Sequence, residues 1–313
     1  MQVIEDCDSF EADGGYAAVI GFFDGVHVGH KSLLDSLKSA AAARGLKTVV
    51  VTFAIHPREI LKASYVPKLL TTKDERIKRL EKEGVDLCYV IKSKDTFDMT
   101  SGYFMHHVLA EKLNVKYLLV GYDHHFGKDR ENGFDYYKSC GDKYGVEVEA
   151  CGVYAMNKKQ VSSSMIRKEL EAGKVDVASR YLGYNYSIEG TIVHGRNIGK
   201  TIGFPTANVA LSDVRKLIPM EGVYSVKVTI EGDRKCYKGV LNIGVRPTFI
   251  ALGASKTIEV HILDFEKDIY QKKIHIEMVK YLRAEEKFEN PQLLARQIKA
   301  DTLAVESVNR LID

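Results

Sequence analysis

The stretch Gly21-Phe22-Phe23-Asp24-Gly25-Val26-His27-Val28-Gly29-His30 decides the fold of the first half of this chain. An apolar run over residues 17–23 leads into it and predicts a buried strand. The pattern over 31–44 predicts a helix leaving it. Gly25 and Gly29 let the backbone turn tightly and come close to a ligand. A helix N-terminus offers unpaired N–H groups and the positive end of a dipole, which favour phosphate. His27 and His30 are three residues apart and point to one side of the helix start. Two imidazoles there can hydrogen-bond phosphate oxygens and meet negative charge developing at a reacting phosphorus. Taken alone, the same residues also fit an ordinary turn with capping side chains.

Working outward, short apolar runs alternate with helical stretches as far as about residue 181. Runs at 46–53, 86–91, 116–121 and 146–151 predict further strands, and 102–113 and 134–144 predict helices. This alternation implies a parallel sheet with helices on both faces. Ligands bind beyond the carboxyl ends of such strands, which places the loops after Phe22 and Val120 in the candidate site. After Gly183-Tyr184-Asn185 the texture changes. Strands are expected at 187–193, 223–230, 237–243, 258–263 and 274–282, several alternating apolar with polar residues, as in Ile274-His275-Ile276-Glu277-Met278. Successive strands at this spacing suggest an antiparallel barrel. A helix over 291–311 closes the chain, with Leu294, Ile298, Val305, Val308 and Ile312 on one apolar face. The expected domains are 1–183 and 184–313.

Composition narrows the function classes. Of 313 residues, 45% are hydrophobic and 28% charged, which is ordinary for a globular chain and argues against disorder. A net charge of +3 supplies no basic field, so no nucleic-acid partner is expected. Cys7, Cys88, Cys140, Cys151 and Cys236 are scattered and never spaced C-x-x-C, which speaks for reduced thiols in the cytoplasm and against a zinc ribbon. The first residues lack a signal-peptide pattern. No window approaches the roughly 20 apolar residues that span a bilayer, so no membrane role is expected.

A second glycine-rich stretch, His194-Gly195-Arg196-Asn197-Ile198-Gly199-Lys200-Thr201, looks like a P-loop but is not one. The P-loop has four residues between its first glycine and the Gly-Lys pair, whereas three intervene here, and Gly203-Phe204-Pro205 would stop the helix that must follow. Such a turn can still wrap phosphates through backbone N–H groups. Thr206 and Asn208 offer hard oxygen ligands of the kind Mg2+ takes; a tight turn capped by Thr206, with Asn208 left-handed, fits the pattern as well. Glu259 lies in the apolar strand Ile258-Glu259-Val260. A carboxylate there is either on the solvent side of an alternating strand or functional.

The first motif is similar to the H-x-G-H signature of the nucleotidyltransferase superfamily, and its form G-x-F-D-G-x-H-x-G-H resembles the FAD synthetase branch. Ser162-Ser163-Ser164-Met165-Ile166-Arg167 resembles that branch's S-S-T-x-I-R, with Ser164 for threonine. Phe53-Ala54-Ile55-His56-Pro57 resembles F-x-P-H-P, with Ile55 for the first proline. Gly121-Tyr122-Asp123-His124-His125-Phe126-Gly127 resembles G-x-D-F-x-F-G, with His124 for the aromatic. Gly203-Phe204-Pro205-Thr206-Ala207-Asn208 matches the riboflavin kinase motif G-F-P-T-A-N completely, and 239–249 and 282–288 look like further segments of that module.

The resemblance implies a Rossmann-like nucleotidyltransferase domain followed by a kinase β-barrel. It implies that riboflavin is phosphorylated to FMN with ATP, leaving ADP, and that AMP passes from a second ATP to FMN, giving FAD and pyrophosphate. By resemblance, Glu259 is the kinase base, and Thr206 and Asn208 hold Mg2+. Gly195, Arg196, Gly199, Lys200 and Gly203 wrap phosphates, and Asn242, Arg246 and Arg283 line the flavin side. In the first domain, His27, His30 and Arg167 are the catalytic candidates. Gly21, Phe23, Asp24, Gly29, Ser163 and Ser164 are expected at ATP, and His56, Asp123 and Phe126 at the flavin. Two other readings share parts of the pattern: a phosphopantetheine or cytidylyl transferase carrying an unrelated barrel, and a non-catalytic flavin sensor.

Overall fold

The computed structural model describes residues 1–6, 9–57, 59, 68–121, 126–129, 133–152, 155–156, 159–195, 199, 202–246 and 255–310. They divide by packing into two units, Met1–Ser163 and Ser164–Asp313.

In the first unit, the described residues form a parallel sheet of six strands: β1 (Gln2–Glu5), β2 (Tyr16–Ile20), β3 (Lys47–Phe53), β4 (Leu87–Ile91), β5 (Val115–Val120) and β6 (Glu147–Ala150). Their order is β1-β4-β3-β2-β5-β6. Because side chains alternate along a strand, each face collects its own core. Ala17 and Val19 of β2 join Val50, Leu119, and Leu34 and Leu37 of helix α1 (Val28–Arg44) and Leu80 of helix α2 (Lys73–Lys82). Ala18 and Ile20 join Val49, Val51 and Leu118 on the other face. That face is covered by α3 (Ser101–Phe104), which continues as a π-helix (Met105–Lys112), and by α4 (Gly133–Tyr144). Coverage on both faces explains why β2 and β4 are buried along their whole length. A short hairpin, β7 (Ala155–Met156) with β8 (Lys159–Gln160), precedes helix α5 (Ser163–Glu171).

The chain direction through the sheet switches between β2 and β5, so a crevice opens beyond their carboxyl ends. The loops that begin at Gly21 and Gly121 start there, as expected. Two details differ from the sequence reading. Strand β2 stops at Ile20 because the chain turns at once, with Phe23 at φ 56°. Strand β1, only four residues of mixed polarity, was not foreseen.

In the second unit, α5 and α6 (Val175–Leu182) precede a closed barrel. Its strands are β9 (Ser187–Val193), β10 (Ala207–Leu211), β11 (Gly222–Ile230), β12 (Cys236–Arg246), β13 (Ser255–Ile262) and β14 (Lys273–Arg283), in the order β10-β13-β12-β11-β14-β9. β9 pairs with β10 to close the ring, and every pairing is antiparallel. Alternate residues such as Val226, Val228, Leu241, Ile243, Val260, Ile276 and Met278 are fully buried and fill the interior. Outside, Val305 of helix α7 (Pro291–Arg310) packs on Val223 and Val240.

Strand β10 is a correction to the five-strand expectation. Ala-Asn-Val-Ala-Leu is too short and small to show a period, yet both its edges are paired. Asn208 therefore lies in a strand, which removes the left-handed turn reading. The packing boundary also falls earlier than the change of texture: α6 packs on β14, and Met220 N–H bonds the Leu170 carbonyl. Among the described residues no helix is long and apolar enough to cross a membrane.

The barrel carries a charged triad on its wall. His275 on β14 lies 3.3 Å from Glu189 on β9 and 3.6 Å from Glu277. Burial opposes a charge on this imidazole, but the hydrogen bonds and charges of the two carboxylates outweigh it and raise its pKa from 6.5 to about 9. A raised folded-state pKa gives stability that is complete below the unfolded value and is lost as pH rises through the folded one. His275→Ala should therefore cost about 1–2 kcal/mol at about pH 6, allowing for the screening of a partly exposed group. The deficit should close by about pH 10 in thermal melts; a pH-independent deficit would contradict the charge assignment.

Candidate active sites

The turn after β2 is held by a buried anion. The Asp24 carboxylate, 3% exposed, accepts hydrogen bonds from the backbone N–H of Leu70 and Thr71 at 3.0 Å and from the Thr71 hydroxyl at 3.2 Å. Thr71 Oγ1 in turn accepts the Gly25 N–H at 2.9 Å. This clamp sustains a strained backbone, with Val26 at φ 37° despite its β-branch. Phe23 and Asp24, placed at ATP by resemblance, turn their side chains inward, Phe23 into the core. An anion facing a phosphate would repel it, so the Asp24 carboxylate shapes the turn from behind.

His27 is the N-cap of α1: its Nδ1 accepts the His30 N–H at 3.3 Å. An accepting Nδ1 leaves the proton of a neutral imidazole on Nε2, which is then a donor. The His27 and His30 rings stack at 3.7 Å and 16°. Gly29 is required by that geometry, because a Cβ there would sit 3.1 Å from the His27 ring. Burial, together with His27, holds His30 well below the ordinary histidine pKa. His30 Nδ1 is buried without a hydrogen-bond partner. An unsatisfied polar atom beside a helix N-terminus suits a phosphate oxygen.

Other expected residues surround this turn. Ser163 donates its hydroxyl to the Asp24 carbonyl at 2.9 Å, and Gly21 N–H bonds Val51. The His56 ring lies 4.5 Å from Phe22, whose other neighbour is the guanidinium of Arg76 at 4.2 Å. Arg76 is fully buried and also donates to the Phe53 carbonyl, so it fastens the ends of two site loops. Nothing in its helical context singled it out. Phe126, expected at the flavin, is packed in the core against Phe104 and Tyr137 and anchors its loop from inside. Ser164 and Arg167 lie on α5 within the second packing unit. Asp123 lies outside the described residues, as do Arg196 and Lys200 and the side chain of Arg246.

In the barrel, register brings the expected groups together. Glu259 on β13 stands opposite Asn208 on β10 and opposite Asn242 on β12. Directly paired residues of antiparallel strands share a face, so the three polar side chains form one row. They lie on the outer face, since Ile258 and Val260 are buried inside. Glu259 is thus on the outside, as simple alternation allows, but between two amides. Asn242 donates to Glu285 at 3.2 Å.

Gly195 and Gly199 lie close to this row and to the motif that leads into it. A Cβ on Gly195 would overlap the Asn208 amide, and one on Gly199 would strike the Phe204 carbonyl and crowd Thr206 Oγ1. His261, two residues beyond Glu259, bonds the Pro205 carbonyl through Nδ1 at 2.8 Å and meets the Phe204 ring edge-on. It pins the motif to β13 and was not foreseen. A cavity of about 400 Å3 opens beside Thr206, walled by Ile192, Val260, Ile262, Phe265 and Tyr270. Arg283 differs from expectation: its guanidinium makes a two-pronged bond to buried Asp301 of α7, at 2.9 and 2.8 Å, and so secures the terminal helix.

A parallel sheet with a histidine-bearing turn at its switch point, followed by a six-stranded barrel, defines a nucleotidyltransferase-like protein with a second functional module. Residues 9–165 match the FAD synthetase family and residues 182–309 the riboflavin kinase family. The chain is 35% identical to the bifunctional riboflavin kinase/FMN adenylyltransferase of Buchnera aphidicola over the full length of both. It is 36% identical to the protein of that description from Escherichia coli K12, covering 92% of this chain and 91% of that one. The chain belongs to the bifunctional riboflavin kinase/FMN adenylyltransferase family. A crystal structure described as a macrolide-efflux protein from Streptococcus pneumoniae superposes with a TM-score of 0.87 at 30% identity, covering 98% of this chain and 99% of that one.

The Asp24 clamp is open to direct test. Asp24→Ala strands buried N–H groups at Leu70 and Thr71 and should cost about 3 kcal/mol in denaturant unfolding of the first unit. Asp24→Asn, which keeps one acceptor, should cost less. Wild-type stability in both would contradict the clamp.

Proposed function

We propose that the chain makes FAD in two steps at two separate sites: riboflavin to FMN on residues 184–313, then FMN to FAD on residues 1–183. The row Asn208–Glu259–Asn242 carries the kinase reading, because it sets a carboxylate between two amides beside the motif expected to bind ATP. The 5′-hydroxyl of riboflavin is a poor nucleophile until its proton is accepted, and Glu259 accepts it. The ribityl oxygen then bonds the γ-phosphorus as the bond to ADP breaks. Asn242, tied to Glu285, orients the flavin side of this row.

Thr206 and Asn208 would hold Mg2+. Their hard oxygens suit it, and the glycine turn pressed against both side chains supports a phosphate cradle there. When bound, Mg2+ supplies shielding of the triphosphate charge. Gly195, Gly199 and Gly203 let the backbone N–H groups approach the phosphates, a role extended by resemblance to Arg196 and Lys200. The cavity beside Thr206, which Glu266, Lys267 and Asp268 also line, takes the nucleoside.

In the sheet unit the attacking group is the FMN phosphate, already largely dianionic near neutral pH because its second pKa is about 6. No base is needed. The site must instead meet charge on the α-phosphorus and on departing pyrophosphate. His27 does so through Nε2–H, and His30 through its unsatisfied Nδ1. Ser164 and Arg167 keep a polyphosphate role by resemblance, and His56 and Asp123 a flavin role. Phe126 and Arg283 act here as positioning residues. The described cysteines Cys88, Cys140, Cys151 and Cys236 are free thiols, which supports a cytoplasmic site of action.

Glu259→Ala should abolish FMN formation from riboflavin while supplied FMN still becomes FAD. His30→Ala should leave the kinase running and stall the reaction at FMN. Both are read by separating the flavins after incubation with ATP and Mg2+. Loss of both activities in a folded Glu259→Ala protein would sink the two-site reading, as would an unchanged FAD yield from His30→Ala.

A further inference from the structure

The π-helix over Met105–Lys112 carries a cluster that neither flavin chemistry uses. His106, His107 and Glu111 each present one donor atom, and these atoms lie within 4.8 Å of one another. Glu111 reaches both imidazoles at once: Oε2 is 2.6 Å from His107 Nδ1, and Oε1 is 3.4 Å from His106 Nε2.

The helix type makes this convergence. In an α-helix of 3.6 residues per turn, residue i+5 stands about 140° round from residue i, and a carboxylate at 111 would serve His107 alone. The wider i→i+5 winding, seen in the Leu113 N–H bond to the Val108 carbonyl, brings Glu111 over His106 as well. Aromatic rings hold both imidazoles. Tyr144 stacks on His106 at 4.4 Å and 22°, and Tyr103 leans on His107 at 4.2 Å. The cluster borders a cavity of about 410 Å3 shared with Tyr136, Cys140 and Lys143, which leaves room for further ligands such as water.

We propose that His106, His107 and Glu111 form a binding site for a divalent transition-metal ion of the Zn2+ class, on the opposite face of the sheet from α1. Two imidazole nitrogens with one carboxylate suit zinc, cobalt or nickel, whereas Mg2+ demands near-octahedral oxygen ligands. The site therefore selects against the ion assigned to the kinase. Ligation also couples the ion to helix winding, because the His106–Glu111 pair exists only in the π register. The same helix begins at Ser101, whose N–H bonds Asp129 at 2.6 Å, and Met99 accepts the Lys128 N–H at 2.9 Å, so it also secures the loop that follows Phe126.

The test is calorimetric titration of the full-length, chelator-treated chain with ZnCl2 in excess Mg2+. One ion per chain should bind with a Kd in roughly the micromolar range. His106→Ala and Glu111→Gln should each weaken binding about tenfold or more, and His106→Ala/His107→Ala should remove it. All three variants should keep both flavin activities with Mg2+ alone. Co2+ should give d–d absorption without a thiolate charge-transfer band, and Zn2+ should slow amide exchange over 105–112. No binding tighter than about 0.1 mM, binding that survives in folded Glu111→Gln and in the double variant, or a thiolate band that places the ion on cysteine would each overturn the proposal.

Discussion

The pairing of β10 with β13 sets Asn208 opposite Glu259, and the organisation of the second unit depends on it. The same backbone ladder closes the barrel and builds the polar row. A two-residue slip of β10 would part Asn208 from Glu259, and a one-residue slip would send Asn208 into the apolar interior. The glycine turn is constrained in the same way. Gly195 can lie against the Asn208 amide only without a side chain, and His261 ties Pro205 to the strand that carries Glu259. Barrel stability and placement of the glycine motif are therefore one structural problem with one solution.

The first unit solves a different problem. Its turn must bring two histidines together at a helix start while the backbone passes through strained conformations at Phe23 and Val26. A buried carboxylate with several donors supplies the restraint. The histidine that caps α1 commits its Nδ1 to the helix, and burial holds the pKa of its stacked partner well below the ordinary value.

Local patterns made much of this legible in the sequence. Long apolar runs marked β2 to β6, and the spacing of His27 and His30 matched their stacking. The G-F-P-T-A-N string marked the kinase module. The illegible parts share one physical cause: they rest on partners distant along the chain. The clamp on Asp24 was hidden because its partners lie 46 and 47 residues away. Arg76 looked like an ordinary helical cation until Phe22 and Phe53 met it. The bond from Arg283 to Asp301 was hidden because Asp301 is on another element. Strand β10 was invisible because five small residues carry no period, although tertiary pairing holds them on both sides. The change of texture at 183 marked where strands begin, whereas packing divides the chain after Ser163.

The account's central claim is that one chain carries two complete and different phosphorus chemistries. It is tested most directly by following riboflavin, ATP and Mg2+ with the purified chain and resolving flavins and nucleotides over time. The account predicts FMN rising first and then falling as FAD accumulates, with ADP released in the first phase and pyrophosphate in the second. FMN as the sole and final flavin product, with no pyrophosphate, would contradict it.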